Sequence, residues 1–203
     1  LGLFRYGRGS VPAISASADA PAHRDDAVVE ETSSALDFSQ YGSIALIPGG
    51  FKPPHRGHLD LIRAAANLAD IVFVFTGATP RSMGDRQVTL ELSQQIWNMY
   101  LQDAGIADSV VFIPVEGSPM KVAYQVLEHE TIPGQTVVMV ASSKDLGRFS
   151  AEVQEKYAPE GVTVEPLSVP ATIHSATGEE LSASFMREFV KSGNFEEFKE
   201  YIP

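Results

Sequence analysis

From Ser43 onward the chain alternates short apolar runs with segments of helical period. Runs rich in β-branched residues at positions 44–47, 71–75, 110–113, 137–140 and 162–164 predict five strands. Runs this short and this uniformly apolar are expected of strands buried on both faces of a parallel sheet. Between the first two, Leu59, Ile62, Ala65, Ala66 and Ala69 fall on one helical face. Thr89 is placed to cap a helix carrying Leu92, Ile96, Trp97, Tyr100 and Leu101. Ser118-Pro119 joins an N-cap to a proline at the first helical position, ahead of Val122, Ala123, Val126 and Leu127. A last helix is expected from near Ser182 to just before Gly193-Asn194. Alternation of strand and helix means right-handed crossovers and a doubly wound α/β sheet.

Residues 1–42 have a different texture. Positions 10–39 are rich in Ala, Ser, Asp and Glu and hold neither a helical nor a strand period. They predict an extended or mobile arm with little regular structure, joined to one domain over residues 43–203. Leu3, Phe4 and Tyr6 are candidate anchors to a neighbour, so the arm is where a homo-oligomer or larger assembly would be held. The sequence opens on Leu1 and not Met, as expected of a piece of a longer product.

Charge narrows the function. Lys and Arg number 15 against 26 Asp and Glu, a net charge of -11, which excludes general nucleic-acid binding. There is no cysteine, so disulfides and thiolate metal sites are excluded. No apolar run approaches the roughly 20 residues that span a bilayer, and a cytoplasmic location is expected. The basic residues are nevertheless not scattered. Lys52, Arg56, Arg81, Arg86, Lys121, Lys144, Arg148 and Arg187 lie just after a predicted strand or at the start of the next helix. That is the carboxyl edge of the sheet, where ligands of such folds bind, and positive charge gathered there fits an anion.

The stretch Gly49-Gly50-Phe51-Lys52-Pro53-Pro54-His55-Arg56-Gly57-His58 follows the first strand and runs into the first helix. Its glycines permit close approach of a ligand to the backbone, and its prolines stiffen the turn. His55 and His58, three apart across a helix start, can point to one side, with Gly57 leaving space between them. The helix N-terminus adds N–H donors, and Lys52 and Arg56 flank it. Together these residues describe a polyphosphate site.

This stretch resembles the opening signature of the HxGH nucleotidyltransferases, a superfamily that includes nicotinamide-mononucleotide and phosphopantetheine adenylyltransferases and several cytidylyltransferases. The family's second signature is matched by Leu181-Ser182-Ala183-Ser184-Phe185-Met186-Arg187, about 120 residues later, with Ala183 in place of a hydroxyl residue. The wording of these segments is also similar to cytidylyltransferase-like proteins encoded by bacteriophages. With the strand–helix alternation, the resemblance implies a Rossmann-like five-stranded parallel sheet in the order 3-2-1-4-5. It also implies transfer of a nucleoside monophosphate from CTP or ATP to a phosphorylated small-molecule acceptor, with pyrophosphate leaving.

By that resemblance His55 and His58 hold the phosphates and stabilise charge developing on them, Lys52 reaches the α-phosphate or the acceptor, and Arg187 holds the outer phosphates with Ser182 and Ser184. Gly49, Gly50, Phe51 and Gly57 belong to the nucleotide site, and Lys144, Asp145 and Arg148 to the base or ribose. Arg81 and Arg86 are candidates for an acceptor phosphate. Mg²⁺ is implied as an ion bound through the NTP phosphates, with no protein metal cage. Class I aminoacyl-tRNA synthetases also use such a histidine pair, but the lysine-rich loop they require is not in this sequence. A non-catalytic nucleotide-binding domain of a larger assembly is the alternative from another class. His129 and His174 read as ordinary histidines, at a helix end and in a polar loop, and Trp97 as core.

Overall fold

The computed structural model describes residues 2–5, 10–12, 36–150 and 156–203. In chain order the strands are β1 (Gly2–Arg5), β2 (Ser10–Pro12), β3 (Ser43–Gly49), β4 (Ile71–Gly77), β5 (Arg81–Met83), β6 (Arg86–Val88), β7 (Val110–Val115), β8 (Thr136–Ser142) and β9 (Thr163–Val169). The helices are α1 (Arg56–Ala66), α2 (Leu90–Asp103), α3 (Pro119–His129), α4 (Ala183–Lys191) and α5 (Phe195–Glu200).

The five expected strands pair in parallel in the order β7-β4-β3-β8-β9, which in order of appearance is 3-2-1-4-5. Side chains of a strand alternate between faces, so the sheet divides the core in two. Ile44 and Leu46 face α3, whose Val122, Ala123, Val126 and Leu127 are all buried. Ala45 and Ile47 face the other way, onto Leu59 and Ile62 of α1 and Trp97 and Leu101 of α2. The expected caps are present: Thr89 Oγ1 accepts from Leu92 N at 3.2 Å, and Ser118 Oγ from Lys121 N at 3.4 Å.

Several expectations are corrected. Leu92 is 40 % exposed, and Ser93 takes the buried position, donating its hydroxyl to the Phe51 carbonyl at 3.2 Å. β9 is an edge strand, not one covered on both faces; of its residues only Val169 is buried. Glu165 and Pro166 belong to such an edge, since proline has no N–H to offer an outer neighbour. Between β4 and α2 lies the unforeseen hairpin β5–β6, closed by Gly84-Asp85 with Gly84 at φ 70°. Helix α5 was not foreseen.

The arm also departs from expectation where it is described. β1 pairs antiparallel with β2 and with β7, lengthening the sheet to seven strands. The core starts before Ser43: Phe38 is buried, and Gln135 Nε2 donates to the carbonyls of Phe38 and Tyr41 at 2.8 and 2.9 Å. Tyr6 and the stretch 13–35 lie outside the described residues. Among the described residues no helix is long and apolar enough to cross a membrane.

Candidate active site

At the carboxyl edge of β3 and β8 lies a pocket of about 710 Å³. The turn from β3 into α1 forms one wall. Phe51 takes a left-handed conformation, φ 48°, and its ring folds back into the core. Gly49 is needed beneath it, because a Cβ there would lie 2.3 Å from the ring. Gly50 has open space where its Cβ would be and faces the pocket. Gly57 is required by protein packing as well as by any ligand: its Cβ would meet Thr172 Oγ1 at 2.6 Å and the His55 ring at 3.3 Å.

The histidine rings stack with centroids 3.5 Å apart, and the edge of Phe51 meets His58 at 4.9 Å. Both line the pocket. Among the described residues, neither ring nitrogen of His55, nor Nδ1 of His58, has a hydrogen-bond partner, although these atoms are buried. Burial pushes the His55 pKa down to about 4. Burial, and then His55 itself, holds His58 well below the ordinary histidine value. Both rings are therefore neutral near pH 7. A buried polar group without a partner costs about 1–3 kcal/mol, so three such atoms at one mouth mark a place built for a hydrogen-bonding ligand.

Lys52 is almost wholly buried, and Nζ donates to the Gly77 carbonyl and, at 2.9 Å, to that of Thr79. Burial first and Arg81 second lower its pKa to about 8, with Glu91 opposing. Its amine thus ties the end of β4 to the pocket while retaining charge. Arg187 donates to the Lys52 carbonyl at 2.6 Å and to Ser184 Oγ at 2.8 Å. Burial and then Arg81 lower its pKa as well, with Glu188 opposing. Lys52, Arg81 and Arg187 all line the pocket, and Arg81 repels each of the other two cations. Bringing an anion among them relieves that repulsion.

The second motif sits where expected. Ser182 caps α4, accepting from Phe185 N at 3.1 Å, and Ser182, Ala183 and Ser184 all line the pocket. Lys144 and Asp145 line it from the end of β8, where Asp145 N donates to the Ser142 carbonyl at 2.9 Å. The Arg148 side chain lies outside the described residues.

Three of the basic residues go elsewhere; Lys121, exposed on α3, does not line the pocket. Arg56 does not line the pocket: its guanidinium donates to the Glu200 carbonyl at 2.6 Å, and its N–H to that of Tyr201 at 2.8 Å. That also uses one of the first-turn donors of α1. Arg86 is exposed on β6 and does not line the pocket: it pairs with Met83 beside the turn, two residues further along the hairpin than Arg81. His174 lies in a loop, as expected, but is buried against Phe185, Phe189 and Tyr201, with Nδ1 2.9 Å from Thr177 Oγ1. His129 is exposed at the end of α3, and Trp97 is core.

Pro170, Ala171 and Thr172, just after β9, also line the pocket, as does Glu180. The rule that located the other loops, position after a strand, reaches these as well. Among the described residues no group of three or more His, Asp or Glu side chains is arranged to hold a metal ion.

The model of the cytidylyltransferase-like family matches residues 46–189. A phosphopantetheine adenylyltransferase of Leifsonia xyli is 28 % identical over 163 residues, covering 79 % of this chain and 92 % of the relative. A pantothenate synthetase of Nitrosococcus oceani is 35 % identical over 101 residues, covering 47 % of this chain and 33 % of the relative. Among solved structures, the bifunctional NMN adenylyltransferase/ADP ribose pyrophosphatase of Francisella tularensis shares the fold with a TM-score of 0.57 at 21 % identity, covering 80 % of this chain and 45 % of that one. The chain thus spans less than half the length of that structure.

Proposed function

The chain belongs to the cytidylyltransferase-like family of nucleotidyltransferases, and on that premise we propose that it moves a nucleoside monophosphate from an NTP to a phosphorylated small-molecule acceptor. The observation that carries the reading is the buried, stacked, unpartnered histidine pair facing three cations across one pocket. An acceptor phosphate oxygen attacks the α-phosphorus in line, the bond to the bridging oxygen breaks, and pyrophosphate leaves. No covalent enzyme intermediate is needed, so catalysis is positioning together with charge stabilisation.

His55 and His58 donate N–H groups to the α-phosphate and the bridging oxygen. Incoming phosphate charge raises their pKa values, strengthening these bonds as charge develops. Arg187, oriented by Ser184, holds the outer phosphates beside the Ser182 end of α4. Lys52, held at the end of β4, and Arg81, at the start of β5, receive the acceptor phosphate. Lys144 and Asp145 lie at the base and ribose end. Mg²⁺ would be carried on the NTP phosphates that His55, His58 and Arg187 hold, and would supply neutralisation of phosphate charge there.

ATP with phosphopantetheine is the first pair to test, given the name of the Leifsonia relative, with CTP and NMN next. Pyrophosphate release should be measured across four NTPs and these acceptors. Release with one NTP–acceptor pair, slowed about a hundredfold by His58→Ala, supports the reading. NTP binding without turnover on any acceptor would place the protein with non-catalytic nucleotide binders.

A further inference from the structure

Tyr201 touches three pieces of the pocket wall at once. Its carbonyl accepts the Arg56 N–H at 2.8 Å, at the start of the helix that carries His58. Its hydroxyl accepts from Ser175 N at 2.9 Å and donates to Ser175 Oγ at 3.2 Å, holding the loop that brings Thr172 over Gly57. Its ring is buried in a cluster with Leu181, Met186 and Phe189, which seats the helix carrying Arg187. Glu200 reinforces the same junction, its carbonyl accepting from the Arg56 guanidinium at 2.6 Å and its carboxylate from Ser175 Oγ at 3.1 Å. The start of α1 has no side-chain cap hydrogen bond of its own among the described residues, so the Tyr201 carbonyl satisfies one backbone donor that would otherwise be orphaned.

We propose that Arg56 and Tyr201 form a latch that sets the histidine pair against Arg187, making both positioning residues for nucleotidyl transfer. The proposal rests on the reaction proposed above. Arg56 sits between the two histidines of the motif yet does not line the pocket, and the latch gives it a task there. Misplacement of reacting groups by about 1 Å can cost about a hundredfold in rate, so a junction that fixes α1 against α4 acts on turnover more than on ground-state binding.

The test uses the full chain with Arg56→Ala, Arg56→Lys and Tyr201→Phe, each first checked for folding by circular dichroism. Arg56 is exposed, so its replacement leaves the core intact. Arg56→Ala should lower kcat about tenfold or more while NTP affinity stays within about threefold, and Arg56→Lys should recover most of the loss. Tyr201→Phe, which removes only the hydroxyl, should cost about fivefold. Wild-type kcat in Arg56→Ala, or an equal loss in Arg56→Lys, overturns the latch.

A second readout does not require activity. The ring resonances of His55 and His58 should shift in Arg56→Ala while those of the exposed His129 stay fixed. Unmoved rings overturn the proposal. If the unsubstituted protein releases no pyrophosphate from any NTP, the reaction fails on its own account, and the ring resonances still decide the latch.

Discussion

Acidifying the ligand-free protein from about pH 7 to about pH 5 should lower its stability through His55. Its folded pKa is about 4, against an ordinary histidine value of 6.5, because burial disfavours the charged ring. Between those values the unfolded chain binds the proton and the folded one does not. The stability His55 contributes is therefore present above about 6.5 and is lost as the pH falls towards 4. Integrating the linkage from pH 7 to pH 5 gives a loss of about 2 kcal/mol, or about 4–8 °C in the midpoint of a chain this size. His58, held low in the same direction, adds to it. Carboxylates titrate nearby, so the informative quantity is a difference: denaturant unfolding at both pH values for the wild type and for His55→Gln. The wild type should lose about 2 kcal/mol more than the variant. Equal losses, or a His55 ring titrating at or above 6.5 by NMR, would refute the reasoning.

His58→Ala should lower turnover about a hundredfold with a much smaller effect on NTP affinity, because it removes a donor to charge that grows in the transition state; Arg187→Ala should weaken both, as single-turnover kinetics and calorimetry would reveal. Arg81→Ala should raise the acceptor KM, whereas Arg86→Ala should not, and steady-state kinetics on the identified acceptor distinguishes them. Gly49→Ala should destabilise by about 1–3 kcal/mol in denaturant unfolding, because its Cβ drives into the buried Phe51 ring.

Much of this was readable from residues alone. The strands were legible because strands covered on both faces leave uniform apolar runs, and β3, β4, β7 and β8 are such strands; their order followed from the family resemblance and not from the runs. β9 was shorter on paper than in space, because an edge strand with Glu165 and Pro166 loses that signature. The hairpin β5–β6 carried a signal, Gly84-Asp85 between two short segments, but its strands are too brief to show a period. Position after a strand correctly drew Lys52, Arg81, Lys144 and Arg187 to one pocket. It could not tell Arg81 from Arg86, which differ only by the hairpin between them, nor reveal that Arg56 serves the carbonyls of residues 200 and 201. Contacts between backbone atoms distant in sequence leave no side-chain pattern, so that junction was invisible without coordinates.

The central claim concerns which bond of the NTP breaks, and ³¹P NMR of the protein with ATP, Mg²⁺ and phosphopantetheine reports it directly, with CTP and NMN substituted in turn. The account predicts pyrophosphate and a new diphosphate ester appearing in equal amounts from one such pair, and both forming about a hundredfold more slowly with His58→Ala. Inorganic phosphate and ADP or CDP in their place would mean cleavage at the γ-phosphate and would contradict it.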